Sequence, residues 1–554
     1  MKMSGAEIVI NLLERQGIRI ITGIPGGANL PLYHALAKSK KIHHILARHE
    51  QGAGYIAQGM ARSTGQAAVC FATSGPGATN LLTAIADAYL DSIPIIAITG
   101  QVGTSLLGTD AFQEVDTYGL TLPITKHNYL VRNARELLKI IPEAFRIAES
   151  GRPGPVLIDL PKNVQTEVID FDCWPELGKK NTAPPINSSN IKKIVAMIEN
   201  AKRPVLYVGG GAINSNAGQL LINLAELNTI PVVVTLMGLG VFPADHPLYL
   251  GMPGMHGAGY TNHALQDTDL ILAFGVRFDD RATGKISEFC PRAKVIHVDI
   301  DAAEINKLKR TDLAITGDLY AFLQELLPLV PPIQRVEWME KIRLLKTKHP
   351  FPSSKSDNLF QPLNLIKKVS ELVPPEAIIS TDVGQHQMWV AQTYPFRHPR
   401  TLLTSGGLGT MGFGLPAAIG AALANPGKKV VCFSGDGSIL MNIQELATLA
   451  ELDLDVTLII MNNGHLGLVR QQQELFYNKS YIACRFGCNP DFAVIARGFG
   501  IQSIDLTHST ELMALLAETI AKSGPWLINI PINPVENVLP MVPPGAANVE
   551  MIGE

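Results

Sequence analysis

Short apolar runs of strand length alternate with stretches in which apolar residues recur every three or four positions, and the alternation continues along almost the whole chain. In a first block, from residue 1 to about 164, runs at 18–22, 67–72, 94–99 and 155–160 read as buried strands separated by helical patterns. A second block, about 191–329, has such runs at 205–208, 232–235, 270–274 and 294–298, and a third extends from near 359 to about 531. Polar, Pro-rich stretches at 181–190 and 331–357 read as linkers. Strands alternating with helices imply parallel sheets, so the pattern predicts an α/β fold of three doubly wound parallel-sheet domains, 1–165, 190–330 and 358–535. The tail 536–554, with Pro540, Pro543, Pro544 and Gly545, is weakly periodic, which leaves open a mobile segment and one folded over a site.

At the N-terminus Ser4 and Glu7 are spaced as a capping box, opening a helix that ends near Gly17. Folded structure is thus expected almost from Met1, leaving no room for a signal or transit peptide. No apolar run reaches the ~18 residues of a membrane span. The 554 residues carry a net charge of -3 with no acidic or basic block, which gives no support to nucleic-acid or anionic-membrane binding. The six cysteines are scattered, without paired metal-ligand spacing, and read as reduced thiols of a cytoplasmic protein.

The strongest chemical signal lies in the third block. A strand at 428–433 runs into Ser434-Gly435-Asp436-Gly437-Ser438, a helix at about 441–452 follows, and a second strand, 456–461, ends in Asn462-Asn463-Gly464. In a right-handed βαβ unit, Asp436 and Asn463 then emerge at one carboxyl edge, where open α/β sheets bind ligands. A carboxylate and an amide carbonyl are hard donors suited to Mg²⁺, and the glycines admit a diphosphate close to the backbone. Gly-Asp-Gly alone is most simply a tight turn; Asn463 at the matching strand end turns the reading toward a metal–diphosphate site. Arg48-His49-Glu50 opens a helix in the first block, where a lone Glu is ordinarily a surface residue complementing the helix dipole. In the second block, Val208-Gly209-Gly210-Gly211 is a weak dinucleotide signal. Arginines and strand-end carboxylates nearby can pair a pyrophosphate and ribose hydroxyls, or simply each other on the surface.

The segment from Gly435 to Asn463 resembles the diphosphate-binding motif of thiamine-diphosphate enzymes, and the resemblance extends over residues 4–540. It implies that Asp436, Asn463 and the backbone carbonyl of His465 hold Mg²⁺, and that Glu50 activates the coenzyme through its aminopyrimidine ring. It further implies that Gln113 lies in the active site and that Met411 is the wedge bending the coenzyme. Pro25, Gly26, Gly75, Val383, Gly384, Gln385, His386, Gly409, Gly435, Gly437, Ser438, Leu466 and Gly467 would complete the thiamine diphosphate site. The middle block resembles the FAD-binding domain of the biosynthetic acetolactate synthases. That likeness assigns to FAD Arg152, Gly209, Gly210, Gly211, Thr235, Leu236, Met237, His256, Gly275, Arg277, Asp280, Arg281, Asp299, Ile300 and Asp318.

Membership of that family implies decarboxylation of pyruvate on thiamine diphosphate. The hydroxyethyl carbanion then condenses with a second pyruvate or with 2-ketobutyrate, giving 2-acetolactate or 2-aceto-2-hydroxybutyrate, precursors of branched-chain amino acids. It implies a homodimer or homotetramer with active sites between subunits, and a small regulatory subunit. The alternatives are a flavin-linked pyruvate oxidase, another thiamine-dependent 2-keto acid decarboxylase, and a scaffold that keeps the fold without catalysis. Glyoxylate carboligase lacks the carboxylate that Glu50 supplies. Two positions depart from the family pattern: Gln472 stands where many members have Trp, predicting weak preference between the two acceptors, and Gly103 replaces a Pro of the access channel.

Overall fold

The computed structural model describes residues 1–182, 186, 188–352 and 358–553. It contains three six-stranded sheets, every neighbouring pair of strands parallel, with helices on both faces. With the strands of each sheet numbered 1 to 6 along the chain, the first and third sheets share one order, 2-1-3-4-6-5. The middle sheet runs 3-2-1-4-5-6, the order of dinucleotide-binding folds. Strand order reverses next to the first strand of each sheet, and the first and third sheets double back once more at their far edge. The reversal next to the first strand falls between Ile20–Gly23 and Ala68–Ala72, between Pro204–Val208 and Leu270–Phe274, and between Ile378–Thr381 and Val430–Gly435. Helices leaving to opposite faces open a crevice at each of these points, at the carboxyl ends of the strands.

The central strands are buried on both faces, which is why they read as continuous apolar runs rather than alternating ones. Ser4 and Glu7 form the expected capping box, opening the helix Gly5–Arg15. The residues before that helix form a short strand, Lys2–Ser4, which pairs antiparallel with Val168–Asp170. The first domain is tied to the third through the helices Glu50–Thr64 and Gly414–Ala424. A Cβ on Gly59 would lie 2.1 Å from the Ala417 carbonyl oxygen, and one on Gly420 2.0 Å from that of Ile56. Two helices cross with backbones in contact, and Gly414–Ala424 is buried almost all round, as its composition requires.

Both linker expectations change, since the helix Ser188–Asn200 takes in the end of the stretch 181–190. Residues 183–185, 187 and 353–357 of the proposed linkers lie outside the described residues. The stretch 331–357 is not all linker, because Val336–Lys348 is a helix that buries Trp338 and Ile342 against the middle sheet. Its other positions are largely polar or charged, which masked the periodicity. The tail folds back on the middle domain: Val542 N–H donates to the Met255 carbonyl at 2.8 Å, and Asn548 Nδ2 to that of Ala282 at 2.9 Å. No described helix is long and apolar enough to cross a membrane.

Candidate active site

The expected thiamine residues gather at the reversal points of the first and third sheets. In the first, Glu50 is the opening residue of its helix and is 9% exposed, and one carboxylate oxygen accepts from Asn80 Nδ2 at 2.9 Å. Gly75, at φ +57°, lies beneath Gln113: a Cβ there would stand 2.8 Å from the Gln113 carbonyl oxygen, so only glycine fits. Gln113 itself has φ +60°, an uncommon conformation for a residue with a side chain. One at Gly77 would come 3.4 Å from Glu50 Oε1, which places the 74–80 turn alongside the carboxylate. Gly26 packs on Thr73 across the same crevice, while Pro25 is exposed.

In the third sheet the strand Val430–Gly435 passes directly into a short helix, Asp436–Ile439, and a second helix, Glu445–Leu452, follows. The helix expected at 441–452 thus starts only at Glu445, the stretch read as a turn carries the short helix, and Asn442 fixes the turn between them by donating to the Gly412 carbonyl at 2.9 Å and to Gln51 Oε1 at 3.0 Å. Asp436 is 1% exposed, and Asn489 Nδ2 donates to its Oδ2 at 2.7 Å. Burial pushes the Asp436 carboxyl above the usual range, with Asn489 and backbone amides opposing. Asn463 Nδ2 donates to Gln385 Oε1 at 3.2 Å, and Asn463 Oδ1 accepts from the His465 N–H at 3.0 Å. Gly467 and Gly437 complete the cradle: a Cβ on the former would lie 2.0 Å from Gln385 Oε1, one on the latter 2.8 Å from Leu466 Cδ2. Ser438 Oγ accepts from the Gly435 N–H at 3.0 Å.

His386 abuts Gly435, and burial pushes its imidazole down to about 3, so the ring is neutral. Its Nε2 is buried without a partner, as a group waiting for an anionic oxygen would be. Val383 N–H is held by Asp382, whose other hydrogen bond from Gly412 N–H, 2.8 Å, shapes the loop of Met411. Met411 is half-buried and Gly409 exposed, and both face Leu82, Thr83, Ala86 and Ile124 of the first domain.

These features fit the expected groups. A buried carboxylate, an amide carbonyl and a backbone carbonyl are the hard donors Mg²⁺ takes. This set is not a cluster of three acidic, His or Cys side chains, and no such cluster exists among the described residues. Thiamine diphosphate fits the glycine cradle and the orphaned His386 Nε2.

At the middle sheet's reversal point lies a cavity of about 470 Å³. Every residue named for the flavin except Gly209 lines it, and so do Gln472 and Gly409. Gly209 lies behind the wall, where a Cβ would meet the Gly275 carbonyl oxygen at 2.3 Å, so its role is to let two strand ends touch. Arg152 pairs with Glu304 at 2.7 Å and donates through Nε to Ser92 Oγ at 2.8 Å. Arg277 donates to the Leu90 carbonyl at 2.6 Å. Asp299 is pushed up to about 6 by burial, with Glu304 and Asp301 adding to it. His256 Nδ1 is buried without a partner. A dinucleotide with aromatic, phosphate and hydroxyl groups suits such a wall. Asp280 and Arg281 are mainly solvent-exposed, at 78% and 66%. Gln472, expected at the acceptor position, is exposed at the rim.

Family models match the three sheets in turn. Residues 3–120 match the thiamine pyrophosphate enzyme N-terminal TPP binding domain, 191–326 the central domain and 382–530 the C-terminal TPP binding domain. Over 553 residues the chain is 57% identical to the acetolactate synthase isozyme 1 large subunit of Escherichia coli K12, covering 100% of this chain and 98% of that one. The chain belongs to the acetolactate synthase large-subunit family. The isozyme 2 large subunit of the same organism is 46% identical, with 99% of each chain covered. The probable acetolactate synthase large subunit of Methanocaldococcus jannaschii is also 46% identical, over 98% of this chain and 94% of the other. Thiamine diphosphate is therefore the coenzyme of this member of the acetolactate synthase family, bound through its first and third domains.

Several polar residues that shape this family's site here were not singled out in the sequence. Asp382, Asn442, Glu445 and Asn489 support the third-domain edge, and Arg62, Asp87 and Asp91 join the first and third domains. Their one signal was charge or amide chemistry inside otherwise apolar segments, clearest for Asp87 and Asp91 on the helix Pro76–Leu90 and its cap.

Proposed function

We propose that this chain is the catalytic subunit of an acetolactate synthase. It takes two 2-keto acids, releases CO₂ from pyruvate, and joins the remaining two-carbon unit to a second pyruvate or to 2-ketobutyrate. The products are 2-acetolactate and 2-aceto-2-hydroxybutyrate, and the step opens branched-chain amino acid synthesis. The observation that carries the reading is the pairing of Asp436 and Asn463 at one sheet edge in a chain that matches acetolactate synthase large subunits over its full length.

Bound thiamine diphosphate supplies a nucleophilic carbon and a sink for the electron pair released with CO₂. Asp436, Asn463 and the His465 carbonyl hold Mg²⁺, and the 470 Å³ cavity holds FAD. Joining two keto acids needs no net redox change, so the flavin's role is structural. Glu50 shares a proton with the far pyrimidine ring nitrogen, and Asn80 fixes one of its oxygens so that the other serves the ring. Gln113, held in its strained conformation over Gly75, borders the space where substrate enters. Met411 is the apolar wedge of the coenzyme. Gln472 bounds the acceptor side and offers little apolar contact to an extra methylene.

Active sites between two copies of the chain complete the reading. Phe112, beside Gln113, is 87% exposed, and Leu408, beside Met411, is 41% exposed; a second copy covering them accounts for both. A small regulatory subunit is the counterpart of a chain whose relatives are named large subunits.

The test is incubation with pyruvate, thiamine diphosphate, Mg²⁺ and FAD, followed by acidification and a colour assay for acetoin. Acetoin formed only after acid treatment supports the synthase. Acetaldehyde alone would make it a decarboxylase, acetate or acetyl phosphate with flavin reduction an oxidase, and no turnover a scaffold.

A further inference from the structure

Four consecutive features around Glu50 touch one segment of the third domain. The backbone N–H groups of Arg48 and His49 both donate to Glu445 Oε1, each at 3.0 Å. Gln51 Oε1 accepts from Asn442 Nδ2 at 3.0 Å. Gly52 has no Cβ where one would stand 2.3 Å from Glu445 Oε1. The side chain of Glu50 itself turns away from that segment, to Asn80. Glu445 is itself 0% exposed, and its second oxygen accepts from Thr448 Oγ1 at 2.7 Å. The cost of burying that carboxylate is offset by three donors, two of them the backbone amides just before Glu50.

We propose that Glu445 is a positioning residue for Glu50, through which the segment that begins at the metal-site Asp436 sets the place of the activating carboxylate in the first domain. The physical reason is leverage. The two amides that Glu445 holds immediately precede the helix Glu50–Thr64, and the missing Cβ of Gly52 lets the carboxylate enter between them and the helix's first turn. A displacement there moves the Glu50 carboxylate directly, and a shift of ~1 Å at a reacting group costs on the order of 100-fold in rate. If Glu445 were only interface glue, its loss would lower stability and leave the chemistry of folded enzyme untouched. The proposal rests on the reading of Glu50 given above.

The test uses the holoenzyme and four variants, Glu445→Ala, Glu445→Gln, Gly52→Ala and Glu50→Gln. Two quantities decide it: the rate at which the thiazolium ring hydrogen of bound coenzyme exchanges with D₂O, and the exchange of the Arg48 and His49 amides in coenzyme-free protein. Glu445→Ala is expected to slow the ring exchange about tenfold or more, with KM for pyruvate within about threefold, and to speed the two amides about tenfold. Glu445→Gln keeps an acceptor oxygen for both amides and is expected to stay within about threefold of wild type in both. Should Glu445→Ala not fold, Gly52→Ala pushes the carboxylate aside from the opposite side and is expected to give the same slowing. Unchanged ring exchange in Glu445→Ala or Gly52→Ala, with Glu50→Gln slowed, overturns this proposal alone, as does a Gln variant as slow as the Ala one. Unslowed Glu50→Gln removes the reading of Glu50 and this proposal with it.

Discussion

Replacing Arg62 with Met isolates the buried charge network between the first and third domains. The Arg62 side chain is 4% exposed and lies 2.9 Å from both Asp87 and Asp91, each 0% exposed. Its guanidinium also donates to Gln58 Oε1 and to the Thr404 carbonyl, 2.9 Å away. Asp91 in turn accepts the Gly406 and Gly407 N–H groups at 2.9 and 2.7 Å, and Ser405 donates to Asp87, so the network pins the loop leading to Met411. Met fills the volume but leaves two carboxylates without a cation, and removing one partner from a buried ion network costs roughly 3–5 kcal/mol. For a cooperative unit the size of one of these domains that is a fall of roughly 10 °C in melting midpoint. The pH dependence has a definite sign. Burial pushes the Asp87 carboxyl up to about 6, and Arg62 is the main influence holding it down. Without Arg62 the folded-state value rises further, so protonation at low pH relieves the variant and ionisation at high pH penalises it. Melting of wild type and variant, coenzyme-free and at one scan rate, should therefore differ more at about pH 8 than at about pH 5.5. A difference of less than ~2 °C at the higher pH, or one that grows on acidification, would refute the reasoning.

Three further outcomes follow from the site and the packing. Asp436→Ala should lower Mg²⁺-dependent affinity for thiamine diphosphate by roughly 100-fold or more, read by titration calorimetry, with any FAD binding in the middle-sheet cavity unaffected because that cavity lies at another sheet. Gln472→Trp should shift the product ratio in mixed pyruvate and 2-ketobutyrate toward 2-aceto-2-hydroxybutyrate by about fivefold, the worth of one methylene contact, as quantified by chromatography of the products. Gly59→Val places a branched side chain where the Ala417 carbonyl oxygen already is, and should cost roughly 1–3 kcal/mol or more in urea denaturation, whereas Gly27→Ala, with open space at its Cβ, should cost far less.

Strands were legible because parallel strands buried on both faces leave unbroken apolar runs: the expected 270–274 is the observed Leu270–Phe274, and 67–72 differs from Ala68–Ala72 by one residue. The shared edge of Asp436 and Asn463 was legible for a topological reason, since a βαβ unit forces both to the same side. The late start of the helix that follows was not, because Asn442 acts through partners 30 and 391 positions away. The wall of the cavity at the middle sheet shows both limits. Its members come from separate strand ends that only the 3-2-1-4-5-6 order brings together, and Gly209 contributes close packing rather than a surface. Glu445 and Arg62 were illegible for a similar reason: nothing local tells a buried carboxylate or guanidinium from an exposed one on an amphipathic helix.

The segment 538–552 closes over the middle domain and contributes Met541 to the cavity at the middle sheet, although all three sheets precede it in the chain. During synthesis the domains can condense one after another while this wall does not yet exist. Any ligand that needs the whole cavity is thereby excluded until the last stage of chain production, and C-terminally clipped molecules lack one of its walls.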